Sequence, residues 1–372
     1  MLNNLVPEGF KDDVSELVAI EHKYKNFIIN YFQLHGYKLI KTPLIEYKHI
    51  DKGKNSFQIQ VNKKEKKLII RDDITLQVIR LSSARFFQKP RPLKLCYYGE
   101  VVRKKGSMLR PERQFLQIGA ECIGESSNYA DVEMMELAFS ALNIVGIKKI
   151  TIEIGSRIFL DKLYKSLYIS KNLSKIKKLI KQKDLYGALK FIDKKYHKYL
   201  KDIFLCTGNF FDKKKQLENL KIDENNALEV NNIKEIVKNF SLNNKKAKIF
   251  LDLSEVDDKN YHNGIRFTMF AENIRGEIAR GGRYIVKNSK NIEKATGFTC
   301  FMDSIMRASS SKERIKKIMI PFNTNSNRKK KLFKDGYIIV THFDDLSNTK
   351  IRAKEQNCQF YLEDNDIKFI NI

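Results

Sequence analysis

The spacing of apolar positions changes period several times along the first 160 residues. Val14, Leu17, Val18, Phe27, Ile28 and Phe32 recur at largely helical intervals and predict a helix over 14–35, capped by Asp12 or Asp13 and ended by His35-Gly36. The segment 37–47 then reads as a strand interrupted by Pro43, which implies an edge or a bulge. Short strands are expected at 57–61, 67–71, 95–102, 113–123 and 149–154, with helices near 74–84 and 129–143. Strands in succession with helices beside them point to an antiparallel α+β sheet rather than to βαβ repetition.

From 158 to 245 the pattern turns to periodic Leu, Ile and Lys with Asn-rich breaks, and predicts a small helical insertion. Strands resume at 247–253, 264–271 and 274–280, with a hairpin turn at Asn273. A glycine-interrupted strand feeds a helix over 295–308. Short strands around 318–320, 337–340, 359–362 and 367–370 alternate with one or two helices to the end. The expected organisation is 1–157 and 246–310 as two parts of one core, 158–245 as a Lys-rich helical insertion, and 311–372 as a small C-terminal αβ segment. Its strand-bearing part, residues 317–372, has about 55 residues, small for an independent core.

Charge and composition narrow the function classes. The chain carries 70 basic and 44 acidic side chains, a formal +26. Of the bases 54 are Lys and 16 Arg. Phosphate recognition favours the bidentate guanidinium, so this ratio argues only weakly for nucleic acid. Residues 161–250 hold 22 Lys, 10 acids and no Arg, a surplus of +12 that reads as a solvated face or, in the other reading, as a landing surface for RNA. By contrast 11 of the 16 Arg fall within 71–113 and 266–283. The apolar runs are strand-sized, far short of the roughly 20 residues that cross a bilayer, and the opening residues lack the pattern of a secretory signal; a cytoplasmic protein is expected. Five scattered cysteines and six histidines without HxxxH or HExxH spacing support neither a disulfide framework nor a metal site. GxxxxGK[ST], GxGxxG after a strand, and GxSxG are all missing.

The richest stretch is Tyr97-Tyr-Gly-Glu-Val-Val-Arg103 followed, after a loop, by Arg110-Pro-Glu-Arg-Gln-Phe-Leu-Gln-Ile-Gly-Ala-Glu121. Period-two alternation sets Gln117, Gly119 and Glu121 on one face of a strand, and polar groups facing inward from a sheet are costly unless they bind something. This stretch resembles motif 2 of class II aminoacyl-tRNA synthetases, in particular histidyl-tRNA synthetase. Collinear matches are Pro7-Glu-Gly-Phe10, Gly36-Tyr with Thr42-Pro43 as motif 1, Arg71-Asp-Asp-Ile-Thr75, Tyr261-His-Asn-Gly264, Gly281-Gly-Arg-Tyr284 and Ala295-Thr-Gly-Phe298 entering motif 3. The resemblance spans roughly residues 5–308 and implies a class II synthetase-like antiparallel sheet flanked by helices.

The departures from that pattern point away from aminoacylation. Arg103 persists, but the Glu that pairs with it in binding ATP falls on Lys105; the motif 3 arginine falls on Ser304, preceded by Asp303; and the arginine that assists histidine activation falls on Asp257. Loss of these guanidiniums removes the electrostatic stabilisation that adenylate formation needs. This combination, with the short C-terminus, resembles the regulatory subunits of ATP phosphoribosyltransferase, paralogues of the synthetase. The resemblance implies a non-catalytic protein without a cofactor. It would activate the short catalytic subunit in the first step of histidine biosynthesis, take part in histidine feedback, and assemble as a hetero-octamer around dimers built on motif 1. No membrane is expected as a partner. The alternative is an RNA- or tRNA-binding paralogue without synthetase activity.

By the same resemblance the candidate histidine-binding residues are Asp73, Thr75, Arg103, Gln117, Glu121, Tyr261 and His262, with Arg103 the remaining candidate for the α-carboxylate. Against this stands a purely structural reading in which Gln117 and Glu121 satisfy each other, Arg113 pairs with Glu112 or another acid, and Tyr97, Tyr98 and Phe298 are core aromatics. Arg283 is read as a remnant of the synthetase pocket.

Overall fold

The computed structural model describes residues 5–14, 16–48, 55–60, 67–166, 172–222, 224–254, 262–287, 292–309, 316–344 and 348–370. These fall into two compact units, 1–310 and 311–372.

The first unit opens with α1 (Glu16–Leu34), whose Tyr24, Ile28, Ile29 and Phe32 are buried along one stripe. The helix starts at Glu16, so Asp12 and Asp13, expected as caps, stand at least three residues upstream. Gly36, at φ +84°, supplies the left-handed turn that ends it. Pro43 separates β1 (Lys38–Ile40) from β2 (Ile45–Tyr47), and the two go to different sheets. β3 (Gln58–Ile59) and β4 (Leu68–Ile70) join β2 in a three-stranded sheet of order β2-β4-β3.

After α2 (Thr75–Arg85) come the long antiparallel strands β5 (Leu93–Val102) and β6 (Gln114–Ile123), then α3 (Asn128–Ile144) and β7 (Ile150–Ser156). Residues 157–243 are mostly helical: α4 (Arg157–Ser166), α5 (Leu173–Lys181), α6 (Leu185–Leu189), α7 (His197–Leu205), the two-residue β8 (Gly208–Asn209), α8 (Lys214–Glu218) and α9 (Glu224–Asn243). Ile176 and Ile180 of α5, and Leu200 and Ile203 of α7, are buried while the lysines between them face outward. β9 (Lys248–Leu251), β10 (His262–Ala271), β11 (Ala279–Lys287), β12 (Ile292–Phe301) and α10 (Met302–Ala308) complete the unit. The hairpin turn does fall at Asn273, with φ +64°. The strand expected at 274–280 begins only at Ala279, because residues 272–278 form the connection.

The main sheet has nine strands in the order β1-β5-β6-β12-β11-β10-β7-β9-β8. It is antiparallel except for β1/β5 and β7/β9. Its two faces differ in chemistry. Leu116, Ile118, Ala120 and Cys122 of β6 belong to a large core with α1 and α3. Phe115, Gln117, Gly119 and Glu121 alternate with them and face the other side, beside Tyr97, Tyr284 and Phe301.

In the second unit β13 (Lys317–Pro321), α11 (Ser326–Lys334), β14 (Ile338–His342), α12 (Thr349–Glu355), β15 (Phe360–Glu363) and β16 (Asp366–Phe369) form a four-stranded sheet of order β14-β13-β15-β16. Leu332 of α11 packs on Ile318 and Ile320, whereas Ala353 of α12 packs on Met319 and Tyr361, so the helices cover opposite faces. All five cysteines are free and buried. Among the described residues no helix is long and apolar enough to cross a membrane, and no group of His, Cys, Asp and Glu can hold a metal ion.

Candidate functional site

Glu121 lies at the centre of the polar face. The residue is 1% exposed. The Tyr284 hydroxyl donates to Oε2 at 2.8 Å and the Tyr97 hydroxyl to Oε1 at 3.3 Å. Burial pushes its pKa up to about 8, against the opposing pull of the hydroxyls of Tyr284, Thr75 and Tyr97. Near neutral pH the group is therefore largely protonated. The Tyr97 hydroxyl also lies 2.8 Å from Thr299 Oγ1 and 3.1 Å from Thr75 Oγ1, and burial raises its own pKa. Space for this cluster comes from missing side chains: a Cβ at Gly297 would stand 1.7 Å from Glu121 Oε2, and one at Gly119 would stand 2.4 Å from the Tyr97 hydroxyl.

The start of α2 supplies the other wall. The Thr75 amide donates to Asp73 Oδ1 at 2.9 Å, and the Ile74 amide donates to Gln117 Oε1 at 3.2 Å. Gln117 is 0% exposed, yet its Nε2 has no hydrogen-bond partner among the described residues. A buried amide donor without a partner costs roughly 1–3 kcal/mol, a cost that an acceptor supplied by a ligand would remove. Gln117 and Glu121 thus do not satisfy each other.

Of the residues named from sequence, Asp73, Thr75, Gln117 and Glu121 come together. Tyr261 and Asp257 lie outside the described residues, and of His262 only the backbone is described, opposite Tyr284. Arg103 is not part of the cluster: its guanidinium lies 4.8 Å over the Phe115 ring, one strand repeat beyond Gln117. Sequence reading missed Tyr284 and Thr299, and took Tyr97 for a core aromatic because its ring is indeed buried; the hydroxyl carries the polar role. Tyr98, expected in the core, is 39% exposed under Lys25. Phe298 is in the core, edge-on to Phe32 at 5.5 Å.

Three arginines have structural partners, and those of Arg113 are not Glu112 or another acid as expected. Arg113 donates to the backbone oxygens of Glu8 and Arg103 and lies over Phe10 and Phe57. Arg283 points to the helical face, where it bonds Asp131 and the carbonyls of Glu125 and Ser127 before α3. Arg110, from the loop between β5 and β6, is 3% exposed and lies 3.8 Å over Phe301, the residue paired with Gln117. It donates to Asp303 Oδ2 at 3.2 Å, Ser304 Oγ at 3.2 Å, Glu277 O at 2.7 Å and Glu277 Oε1 at 3.4 Å. Arg307 bonds Asp303 and Glu112 in turn, closing the chain Glu277–Arg110–Asp303–Arg307–Glu112.

Comparison with known proteins places this geometry. The family model described as histidyl-tRNA synthetase matches residues 9–305. Two ATP phosphoribosyltransferase regulatory subunits are similar over nearly the whole length: that of Paramagnetospirillum magneticum is 27% identical, covering 96% of each chain, and that of Rhodospirillum centenum is 29% identical, covering 95% of this chain and 93% of its own. Among solved structures, an ATP phosphoribosyltransferase regulatory subunit/histidyl-tRNA synthetase from Bacillus halodurans superposes with a TM-score of 0.79 at 20% identity, covering 96% of this chain and 97% of its own. The histidyl-tRNA synthetase of Nostoc sp. gives 0.77 at 18% identity, covering 98% and 92%. These structural likenesses establish the class II synthetase-like fold.

Proposed function

Because the chain belongs to the histidyl-tRNA synthetase family, we propose that it has kept the amino-acid half of the sheet face and given up the nucleotide half. It acts as the non-catalytic regulatory subunit of a short-form ATP phosphoribosyltransferase. It binds and activates the catalytic subunit and contributes to histidine feedback through the site around Asp73, Thr75, Gln117 and Glu121.

The observation that carries this reading is the contrast across Phe301: Arg110 fills one side with ion pairs to Asp303 and Glu277, while the other side holds Gln117, whose Nε2 has no hydrogen-bond partner among the described residues. A synthetase needs guanidiniums free to meet phosphates; Arg110 is committed to two acids. The near full-length similarity to regulatory subunits supports the same reading. A homodimer through the motif 1 region is supported by the exposed apolar side chains of Leu39 on β1, Leu44 before β2, and Ile45 and Tyr47 on β2, and a hetero-octamer with the catalytic subunit follows from the resemblance. Activation is a coupling free energy: binding here favours the partner's active state, and histidine opposes it by binding the two states unequally.

The test is phosphoribosyl-ATP formation by the short catalytic subunit of the same organism, alone and with this protein, with and without histidine. Activation that histidine reverses is expected, and Glu121→Ala should blunt the histidine response while leaving complex formation intact. No activation of a folded catalytic subunit rejects the regulatory reading; salt-sensitive tRNA binding would then favour the RNA-binding alternative.

A further inference from the structure

The loop between β5 and β6 ends in a tight turn whose side chains run against turn chemistry. The Ser107 amide donates to Arg110 O at 2.7 Å and the Arg110 amide donates back to Ser107 O at 3.1 Å, so Met108 and Leu109 hold the two central positions. Such positions favour glycine, proline, asparagine, aspartate and serine. Here they carry two large apolar side chains, 97% and 55% exposed.

The stem below the turn is fixed at many points. The Lys104 amide donates to Asn55 O at 2.6 Å, and the Lys105 backbone exchanges two bonds with the Asn55 side chain, at 2.9 and 3.0 Å. A Cβ at Gly106 would stand 2.5 Å from Pro111 O, so the two arms meet backbone to backbone. Gly276, in the connection before β11, braces the turn from outside: a Cβ there would stand 3.0 Å from the Leu109 carbonyl. Arg110 fixes the base through its ion pairs with Asp303 and Glu277. A stem held in this way presents the tip already ordered, which lowers the entropy lost when a partner covers it.

Cations surround the tip. Lys104 and Lys105 are exposed on the first arm, and Arg275, next to Gly276 in the chain, is exposed as well. Two apolar side chains inside a cationic rim complement an apolar pocket with an acidic rim. The loop also closes the hairpin whose second strand, β6, carries Gln117 and Glu121, and Arg110 at the foot of the turn lies on Phe301, the residue paired with Gln117. A partner on the turn and a ligand at Gln117 would thus meet one continuous run of packed residues, through which coupling between two sites can travel.

We propose that the turn at Met108 and Leu109, with Lys104, Lys105 and Arg275 around it, is the surface that docks on the short catalytic subunit, seated in an apolar pocket with an acidic rim. This rests on the regulatory reading and adds to it the place of contact.

Activation of phosphoribosyl-ATP formation is titrated with wild-type protein and with Met108→Ser/Leu109→Ser, where serine suits the turn. The half-saturating concentration should rise at least about tenfold, the scale of losing two buried apolar side chains, while the urea midpoint and the solution mass of the isolated chain stay as in wild type. Should the serine variant fail to fold, Lys104→Glu/Lys105→Glu leaves the turn itself intact; it should also raise the half-saturating concentration and reverse its salt dependence. Unchanged half-saturation in a folded variant overturns the docking surface while leaving the regulatory reading standing. A changed mass of the isolated variant assigns the turn to a contact between copies of this chain and overturns it as well. A wild-type protein that neither binds nor activates the catalytic subunit overturns the regulatory reading itself, and the docking surface with it.

Discussion

The two ends of β6 are surrounded by polar groups of different kinds. Around Glu121 the groups are neutral or neutralised: a protonated carboxyl, two phenols, two threonine hydroxyls and one amide. Around Arg110 they are ionic, with a guanidinium stacked on Phe301 between Glu277 and Asp303. A buried ion pair with good hydrogen bonds resists rearrangement because separating it strands a charge in low dielectric. A hydrogen-bonded neutral cluster can exchange partners at far smaller cost. The ionic end therefore fixes the loop between β5 and β6, and the neutral end is the one proposed to take a ligand.

The contrast predicts unequal responses to mutation. The largest is Asp303→Ala, which removes the carboxylate under a buried guanidinium and should cost about 3–5 kcal/mol in urea unfolding; a loss below about 1 kcal/mol, the scale of an exposed pair, would mean that the network does not hold the loop. Next is the pH dependence set by Glu121. Its folded pKa is raised, so its stabilising contribution is present below the ordinary carboxylate range and is lost as pH rises through about 8. Between those limits the loss is about 1.4 kcal/mol per pH unit. Glu121→Gln stays neutral throughout, so its stability should fall less than wild type over this window in urea midpoints; parallel curves would show that Glu121 is already ionised. The smallest effect belongs to Arg103→Ala, which loses a half-exposed stacking contact with Phe115 worth about 0.5–1 kcal/mol. It should leave histidine affinity unchanged, and a tenfold loss would restore Arg103 to the site.

Much of the fold could be read locally. The stripe in α1, the break at Pro43, the strands on either side of the 103–113 loop and the helical character of 157–243 all follow from short-range periodicity and breaker residues. The site was half legible for the same reason. Gln117 and Glu121 share a strand, and alternation alone puts them on one face. Asp73 and Thr75 joined them only through resemblance to a family. Tyr97 was visible as a buried ring, but whether its hydroxyl met solvent, backbone or a carboxyl depended on β6 lying beside β5 and β12 beside β6. The Asn273 turn was correctly placed while the strand after it was not, since turn chemistry is local and strand length is set by the pairing partner.

The amino-acid sequence by itself determined the periods, the breaks, the charge asymmetry and the polar stripe on β6. Tertiary structure alone decided what that stripe touches. The Tyr284 hydroxyl reaches Glu121 across 163 residues and Arg110 reaches Asp303 across 193. Such contacts form because sheet order brings distant strands to about 5 Å spacing, and no local pattern encodes which strand becomes the neighbour. Burial then sets the chemistry: the same glutamate on an exposed strand would titrate in the ordinary carboxylate range, and only the packed sheet holds its proton to about pH 8.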